Sequence, residues 1–338
     1  MDHFHTIIIG GGPAGLSCAA VIAGHGRRVI VLERHKRPGP KVCAGGIPWR
    51  ARKELGLPDE LIEGSFQTQH VYTPRQRAVL SSPNPIISTV NRERLGQWLT
   101  QKAREAGAVI AGGCPALSIT ATHVVTPEKR LSYKNLVGAD GSASIVRRYL
   151  QLPAEKMGAG INFQIPRQLP HMEWHLNTAR FNSGYAWIFP HRESSSVGIY
   201  AERHDLPPSL MEKRLRRWAA AQNINLKGCR ARAALINFDY RGWNFGHVFL
   251  TGDAAGLASG FTGEGIYPAI ISGREIARAI IDPHYSPRRM HRLINRHRRH
   301  QRMQKFFTGN KVICQTALEM IVLAMRSGLL DFRLLEMY

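Results

Sequence analysis

The segment that most constrains the fold is HTIIIGGGPAGLSCAAVIAGHGRRVIVLE, near the start of the chain. Residues 6–9 form a β-branched run that predicts a buried parallel strand, since such a strand is apolar on both faces. Gly10, Gly12 and Gly15 fill the positions of a G-x-G-x-x-G motif. In that order they allow a tight turn, a close approach to a pyrophosphate and close helix–strand packing. The pattern predicts a Rossmann-like unit, with the helix N-terminus facing the phosphates.

A second strand and an acid complete this motif. Residues 29–32 predict the strand, and Glu33 ends it where an acid hydrogen-bonds a ribose hydroxyl. A carboxylate at this position repels the 2′-phosphate of NADP, so FAD or NAD remains. The glycine motif alone is a weak signal. The strand, helix, second strand and terminal acid at the required spacing make it a strong one.

Two later segments favour FAD. In NLVGADGSASIVRRYL, Asp140 and Gly141 follow a strand, and ligands lie at the carboxyl ends of strands in doubly wound sheets. By itself this pair is also typical of an ordinary turn. In HVFLTGDAAG, Gly252 and Asp253 follow another predicted strand, and the Asp253 carboxylate can accept hydrogen bonds from a polyol such as ribitol.

The segment FTGEGIYPAIISGREIARAI predicts a helix that starts near Gly265. Its free N–H groups and the positive end of its dipole point at whatever precedes it. Glycines let the backbone approach a ring closely. We therefore expect the backbone of residues 263–266 to stabilise the N1–C2=O edge of a flavin, which is negative in the reduced state. Glu264 is interpreted as a turn or helix-start acid rather than a catalytic group.

These segments, in this order, resemble the glutathione-reductase-like FAD fold, in the branch shared by aromatic hydroxylases, flavin halogenases and geranylgeranyl reductases. KVCAGGIP, GYAWIFPHRESSSVGIY and FTGEGIYPAIISGR resemble the geranylgeranyl reductase family in particular, and the resemblance runs to about residue 281. There are two departures. Ala44 separates Cys43 from the glycine pair, and Gly96 stands where relatives often carry Asp.

The motifs and the resemblance together imply a set of site residues, with FAD as the cofactor and no metal. The implied catalytic residues are Cys43, Tyr185 and Trp187, and the implied substrate-pocket residues are Phe189, Pro190, Gly45 and Gly46. The expected cofactor-binding residues are Gly10, Gly12, Pro13, Ala14, Gly15, Glu33, Arg34, Cys43, Ala44, Asp140, Gly141, Gly252, Asp253, Gly263, Gly265 and Ile266.

The aromatic strand suits the reduction of an isolated double bond. Alternation at period two puts Tyr185, Trp187 and Phe189 on one face. An isoprenoid alkene has no carbonyl to polarise it, so protonation would create a tertiary carbocation. Aromatic faces stabilise such a cation by ~2 kcal/mol or more when desolvated. Alternatively, the rings are core residues of a sheet. Cys43 either donates a proton or tunes the flavin, or is a small buried hydrophobe.

The predicted function is an FAD-dependent reductase that saturates C=C bonds of an isoprenoid lipid or prenyl group. The sequence has no second dinucleotide fingerprint, so NAD(P)H would have to visit a shared site, or a ferredoxin-like protein would supply the electrons. Two alternatives stay open. One is a flavin-dependent monooxygenase or halogenase on the same scaffold, and the other is a non-enzymatic redox sensor or lipid carrier.

The charge balance favours an anionic partner. The chain has 46 Lys and Arg against 24 Asp and Glu, a net charge of +22. An excess of this kind also serves solubility alone. Residues 286–305, SPRRMHRLINRHRRHQRMQK, predict a basic helix with a narrow buried seam that either is simply solvated or docks on an anionic membrane. Nucleic acid is disfavoured, since no recognition fold accompanies the segment. Residues 311–325 would cover the pocket, lie on a bilayer or pack in the core.

Cysteine usage and the termini suggest the compartment. The five cysteines form no C-x-x-C pair, which fits a reducing compartment and argues against a disulfide framework or a cysteine zinc site. No signal peptide precedes the first motif. The longest apolar stretch, KVICQTALEMIVLAM, is too short to span a bilayer. We expect a cytoplasmic protein, with a peripheral position at the inner face of the membrane as an option.

The fold class expected is α/β: a Rossmann-like FAD-binding domain with an inserted antiparallel β-sheet substrate domain and a C-terminal helical segment. The FAD-binding domain would comprise residues 1–160 and 236–285, with an insertion near 65–90. Residues 161–235 would form the antiparallel sheet that roofs the flavin, and residues 286–338 the basic and helical segment.

Overall fold

The structure is a computed structural model that describes residues 2–39, 41–307, 310–331 and 336–338. Its strands in chain order are β1 (Asp2–Ile9), β2 (Val29–Glu33), β3 (Gly46–Pro48), β4 (Ile62–Phe66), β5 (Thr68–Tyr72), β6 (Arg77–Ser81), β7 (Ile87–Val90), β8 (Val109–Gly112), β9 (Ser118–Ile119), β10 (His123–Val125), β11 (Arg130–Gly138), β12 (Met157–Ile165), β13 (Glu173–His175), β14 (Tyr185–Pro190), β15 (Ser195–Glu202), β16 (Arg232–Asn237), β17 (Asn244–Phe245) and β18 (Val248–Leu250). Its α-helices are α1 (Pro13–Gly24), α2 (Trp49–Leu55), α3 (Arg92–Glu105), α4 (Ile145–Tyr149), α5 (Thr178–Phe181), α6 (Pro208–Ala221), α7 (Gly252–Ala255), α8 (Ile266–Ile281), α9 (Arg288–Phe307) and α10 (Lys311–Arg326).

The first sheet has the parallel core that the glycine motif predicts. Strands β8, β2, β1, β11 and β18 lie side by side in that order and pair in parallel, and β17 adds an antiparallel edge. All five residues of β2 are buried, as expected for a parallel strand covered on both faces. The Rossmann-like α/β class expected from the sequence is confirmed.

Helices α1 and α8 pack closely against each other. A Cβ atom at Gly273 of α8 would lie 2.2 Å from the carbonyl oxygen of Ala14 in α1. A Cβ at Gly252 would lie 3.2 Å from the Ala14 Cβ and 3.3 Å from the Ala269 Cβ. Ala14 and Ala269 belong to the first turns of α1 and α8. The N-termini of the two helices therefore lie side by side.

The second sheet has the order β16, β12, β15, β14, β13, β5, β6. Its pairs are antiparallel, as expected, except that β13 pairs with β5 in parallel. The hairpin of β5 and β6 comes from the predicted insertion near 65–90, so a long excursion of the chain separates it from β13. A connection of that kind permits parallel pairing, which a tight turn does not.

The two faces of the second sheet bury different residues. Ala186 and Ile188 of β14 pack with Trp218 of α6 in one apolar cluster. Trp187 and Phe189, the alternate residues, belong to a separate aromatic cluster on the other face. The sheet thus turns its aromatic side away from α6, in keeping with the alternation in the sequence.

The predicted domain limits fall within strands. The limit at 160/161 lies inside β12 and the limit at 235/236 inside β16, and both strands belong to the second sheet. Strands β3, β7 and β4 form a separate small sheet. The division of the chain into domains stays a prediction.

Helices α9 and α10 form most of the described part of the predicted segment 286–338, of which residues 308–309 and 332–335 lie outside the described residues. The buried residues of α9 include Leu293 and Ile294, as the predicted seam requires, and also His297 and His300. Helix α10 lies against β6 and α5. Within the described ranges, every helix is too short or too polar to cross a membrane.

Candidate active site

A cavity of about 830 Å³ is lined by residues of both large sheets and of α10. Most of the predicted site residues line it: Gly10, Gly12, Pro13, Ala14, Glu33, Arg34, Cys43, Ala44, Gly46, Asp140, Gly141, Tyr185, Trp187, Phe189, Asp253, Gly263, Gly265 and Ile266. The predicted residues outside this lining are Gly15, Gly45, Pro190 and Gly252. The roles of all these residues stay predictions.

The three motif glycines in the turn between β1 and α1 have different surroundings. Gly10 has φ of +109°, and a Cβ there would lie 2.3 Å from the carbonyl oxygen of Ala139. A Cβ at Gly15 would lie 2.0 Å from the Gly10 carbonyl oxygen. Gly15 thus packs against the backbone of the turn, and it does not line the cavity. By contrast, no described atom lies within 4 Å of a Cβ placed at Gly12. That position leaves open space in front of the N-terminus of α1.

Glu33 stabilises the same turn. Its Oε2 accepts a hydrogen bond of 2.7 Å from the Gly11 amide, and its Oε1 accepts one of 2.9 Å from the His35 amide. The carboxylate lies in the cavity wall beside Arg34. It is therefore oriented by the backbone before any ribose binds, a second role that the sequence did not suggest.

The side chain of Asp140 is hydrogen-bonded mainly to residues at the start of α4. Its Oδ2 accepts a hydrogen bond from the Ile145 amide at 2.6 Å, and its Oδ1 accepts one from the Ser144 hydroxyl at 2.6 Å. Burial raises the pKa of this carboxyl. Next to it, Gly141 has φ of +75°, and no described atom lies within 4 Å of a Cβ placed there. Asp140 fixes the start of α4, and Gly141 leaves the cavity open.

Asp253 at the end of β18 forms an ion pair that the sequence did not predict. Its Oδ2 lies 2.6 Å from Nζ of Lys41 and accepts a hydrogen bond of 3.2 Å from the Ser142 hydroxyl. Gly252, with φ of +55°, lies behind it, and its amide donates to the Ser272 hydroxyl at 3.1 Å. Lys41 and Ser142 thus orient the carboxylate that was predicted to hold a polyol.

The segment before α8 forms a backbone loop around the cavity. Gly263 has φ of +70°, and Gly265 is the N-cap of α8 and makes no side-chain cap hydrogen bond. The amides of Ile266 and Tyr267 are therefore available to a ligand, since N–H groups in the first turn of a helix have no intrahelical partner, and Pro268 has no N–H. The helix start predicted near residue 265 is confirmed.

The aromatic strand lines the cavity with all three of its predicted rings. The Tyr185 hydroxyl donates to the Thr262 carbonyl at 2.5 Å, and the Trp187 Nε1 donates to the Ser196 hydroxyl at 3.1 Å. The rings of Tyr185 and Trp187 have centroids 6.1 Å apart. Pro190 is buried outside the lining, and its carbonyl accepts from the Thr89 hydroxyl at 2.9 Å. The Tyr185 hydroxyl and the Trp187 indole N–H are thus hydrogen-bonded to the protein, and the surface that these rings present to the cavity is apolar.

The loop with Cys43 is tightly folded. The Sγ of Cys43 accepts a hydrogen bond of 3.3 Å from the Gly45 amide. Gly45 has φ of +83°, and a Cβ at Gly46 would lie 2.6 Å from Cε2 of Phe189. Both glycines are thus required, one by backbone conformation and the other by contact with the aromatic strand. Ala44, which separates Cys43 from the two glycines in the sequence, also lines the cavity.

Arg92 is a cavity residue that the sequence analysis missed. It is the first residue of α3, and its Nε and Nη1 atoms are buried without a hydrogen-bond partner among the described residues. A buried, unpartnered guanidinium is costly unless a ligand pairs with it. The only sequence signal was an arginine just after the helix-capping residue Asn91.

Helix α10 supplies a further part of the cavity wall. The residues of α10 that line the cavity are Cys314, Leu318, Ile321, Val322 and Met325. The sequence left open whether residues 311–325 cover a pocket, lie on a bilayer or pack in the core. Within the described residues, this helix covers the cavity.

Glu264 departs from its interpretation as a simple helix-start acid. It does precede the N-cap of α8, but it also lines the cavity. Its Oε2 accepts a hydrogen bond of 2.9 Å from the Met337 amide, and its buried Oε1 has no hydrogen-bond partner among the described residues. The sequence could not show this, because the enclosing residues lie at the far end of the chain.

The cavity fits FAD. No described atom lies within 4 Å of a Cβ placed at Gly12 or Gly141, which leaves room for a phosphate chain to approach the backbone, and the Arg92 guanidinium belongs to the same cavity wall. The free amides at the start of α8 suit the negative edge of a reduced flavin. The residues present therefore suit a phosphate chain, a polyol and a flat ring, the three parts of FAD.

A family model described as an FAD binding domain matches residues 3–306. The chain belongs to this family. The FAD cofactor expected from the glycine motif, the Asp140-Gly141 segment and the Gly252-Asp253 segment is thereby confirmed. The match covers both large sheets and most of α9.

Relatives of known name resemble the chain over most of its length. The geranylgeranyl diphosphate reductase of Rhodobacter capsulatus is 29% identical, covering 82% of this chain and 74% of that protein. Digeranylgeranylglycerophospholipid reductase 1 of Methanopyrus kandleri is 27% identical, covering 80% of this chain and 78% of that protein. The structure of a geranylgeranyl bacteriochlorophyll reductase-like protein from Thermoplasma acidophilum aligns with a TM-score of 0.81 at 21% identity, covering 96% of this chain and 92% of that one. The resemblance to the geranylgeranyl reductases is confirmed.

Proposed function

We propose that this protein is an FAD-dependent oxidoreductase that saturates C=C bonds of an isoprenoid lipid. The observation that carries the proposal is a single cavity that joins the glycine turn and the start of α8 to the aromatic face of β14. One part suits FAD and the other suits an apolar chain. A substrate carbon in the second part would lie next to the flavin.

Bound FAD, when reduced, would supply a hydride equivalent. The residues of the chain would do the rest. Tyr185 and Trp187 line the apolar part and keep their polar atoms bonded to protein, so they present ring surface to the substrate. Such surface stabilises a carbocation by ~2 kcal/mol or more when water is excluded. Phe189 and α10 would exclude that water.

The substrate class follows from the lining and from the names of the relatives. Leu318, Ile321 and Val322 form an apolar wall that suits a branched hydrocarbon chain. The relatives named above are reductases of geranylgeranyl diphosphate and of a digeranylgeranyl phospholipid. Both names describe isoprenoid chains with a phosphate group. We therefore expect a phosphate-bearing isoprenoid rather than a free hydrocarbon.

The basic helix supports a position at an anionic membrane. The exposed basic residues of α9 are Arg288, Arg292, Arg296, Arg298, Arg299, Arg302 and Lys305. On α10, Val312 is 73% exposed and Met320 is 60% exposed, although the helix lines the cavity with other residues. Basic and apolar groups together are typical of surfaces that bind the lipid interface. We propose peripheral binding through these two helices. The electron donor is expected to be NAD(P)H or a ferredoxin-like protein.

The test is anaerobic turnover of dithionite-reduced protein with geranylgeranyl diphosphate, geranylgeranyl phospholipids or prenyl quinones. Mass spectrometry should show a gain of two hydrogens per saturated bond, and reduced free FAD serves as the control. A monooxygenase or halogenase would require O₂ and give no such product. If no prenyl lipid reoxidises the flavin without O₂, a redox sensor or lipid carrier is the better account.

A further inference from the structure

Saturating a double bond takes one proton for every hydride, so a proton donor must lie in the cavity wall. The two phenols of the wall are poor candidates. The Tyr185 hydroxyl donates to the Thr262 carbonyl, and the Tyr200 hydroxyl donates to the Gly260 carbonyl at 2.7 Å. Burial raises the pKa of both phenols, which further disfavours proton release. The rings are suited to contact the chain, and another group must be the acid.

Glu264 has the geometry of such an acid. It lies between Gly263 and Gly265, in the loop that precedes α8, and it lines the cavity. Only one of its carboxyl oxygens is held, by the Met337 amide, while Oε1 is buried and without a hydrogen-bond partner among the described residues. Because the Met337 amide donates to Oε2, Oε1 is the oxygen left to carry the carboxyl proton. A buried, unpaired oxygen also favours the protonated form.

The surroundings of Glu264 favour the same state. The pKa of its carboxyl is raised to about 7, chiefly by burial and in a smaller part by the nearby carboxylate of Glu336. The Met337 amide and the guanidinium of Arg296 on α9 act in the opposite direction. A carboxylic acid with a pKa close to the working pH is both protonated often enough and acidic enough to act as a general acid.

We propose that Glu264 is the catalytic acid that protonates the substrate double bond, an inference that rests on the proposed function. The O–H bond of the Glu264 carboxyl breaks, and a C–H bond forms at the less substituted alkene carbon. The tertiary cation that remains would accept the hydride equivalent that two-electron-reduced FAD supplies when bound. The alkene thereby gains two hydrogens, the cofactor is oxidised, and the carboxylate takes up a proton from water before the next turnover.

The experiment compares Glu264→Gln and Glu264→Asp with Glu202→Gln. Glu202 is a matched control, because burial raises its pKa too but it lies outside the cavity lining. Infrared difference titration of the protein without substrate should show a carboxyl group that titrates near neutral pH and disappears in Glu264→Gln. Anaerobic single turnover should slow about 100-fold or more in Glu264→Gln and less in Glu264→Asp. The decline of the wild-type rate at alkaline pH should vanish in Glu264→Gln and persist in Glu202→Gln.

Each outcome has a distinct meaning. A Glu264→Gln protein that binds FAD and saturates lipid at the wild-type rate and with the wild-type pH profile overturns the role of Glu264. So does an infrared titration in which no carboxyl signal depends on this residue. If Cys43→Ser abolishes the alkaline decline while Glu264→Gln keeps it, the acid is Cys43 instead. A wild-type protein that saturates no prenyl lipid overturns the proposed function itself, and with it this step.

Discussion

The Nδ1 atom of His191 lies 2.6 Å from Oε2 of Glu63, and its Nε2 atom lies 3.0 Å from the carbonyl oxygen of Ala44. One partner is a carboxylate and the other a backbone carbonyl, and each can accept a hydrogen bond from a ring nitrogen. Ala44 follows Cys43 in the loop that lines the cavity. The His191 ring therefore ties this loop to the end of β14.

Replacing His191 with Ala should loosen the loop and weaken FAD binding about tenfold, since one charge-assisted hydrogen bond contributes roughly 1.5 kcal/mol. Fluorescence titration of the apoprotein with FAD measures this. Glu63→Gln keeps an acceptor for the ring but removes the charge, so it should cost less. Equal affinity in wild type and His191→Ala would show that the loop holds its shape unaided.

Arg92→Met should reduce FAD affinity by about 10- to 100-fold, because a guanidinium hydrogen-bonded to a phosphate contributes roughly 1.5–3 kcal/mol. Arg94→Met is the matched control, as Arg94 is exposed on the same turn of α3 and does not line the cavity. Isothermal titration of both apoproteins gives the comparison. Equal losses for the two variants would point to overall charge rather than a specific contact.

Gly15→Ala should destabilise the protein by roughly 1–3 kcal/mol, because its Cβ would lie 2.0 Å from the Gly10 carbonyl oxygen. Gly24→Ala, at the exposed end of the same helix, meets no described atom within 4 Å. That change should be neutral or stabilising by up to about 1 kcal/mol. Urea denaturation of the two variants provides the test, and similar values for both would contradict the close packing of α1 on the glycine turn.

Trp187→Leu should slow anaerobic saturation about 30-fold, the rate equivalent of ~2 kcal/mol of lost cation stabilisation. Trp187→Phe keeps a ring and should lose less. Trp243→Leu is a control, since Trp243 stacks on Phe249 outside the cavity lining. Rapid-mixing measurements of flavin reoxidation give the rates. If Trp187→Leu and Trp187→Phe react at equal rates, the ring at position 187 contributes to packing alone.

Acid should weaken the contact between α9 and the loop before α8. Burial lowers the pKa of His300 to about 4 and of His297 to about 4. The Ser259 hydroxyl accepts from the Phe261 amide at 3.2 Å and from the Thr262 amide at 2.9 Å. Both of its lone pairs are thus used, so it donates its own proton to Nδ1 of His300, 2.8 Å away. That bond needs a neutral imidazole.

His297 and His300 bind protons more readily in the unfolded chain, because burial no longer lowers their pKa values. Their contribution to stability is full above the ordinary histidine pKa of about 6.5 and is lost as the pH falls toward 4. Thermal denaturation from pH 7 to pH 4 should show this decline, and His300→Gln should reduce it. A melting temperature with the same pH dependence in both proteins would contradict the assignment.

The sequence predicted those parts of the site that depend on neighbouring residues. The glycine turn, Glu33 and the rings of β14 follow from local spacing, so their positions in the cavity wall could be anticipated. The ion pair of Lys41 with Asp253 joins residues far apart in the chain, and no periodicity reveals it. The same applies to the pairing of β5 with β13 and to the contact of Met337 with Glu264. Contacts of this kind are set by tertiary packing, which composition and spacing do not encode.

Helix α10 touches both the interior chamber and the outer surface of the molecule. Leu318 and Val322 line the cavity, whereas Val312 and Met320 are largely exposed. A rigid helix transmits displacement from one side to the other, so filling the chamber should shift the outward side chains. A fluorescent probe attached at position 320 would then report substrate occupancy from outside the protein, without touching the reacting groups.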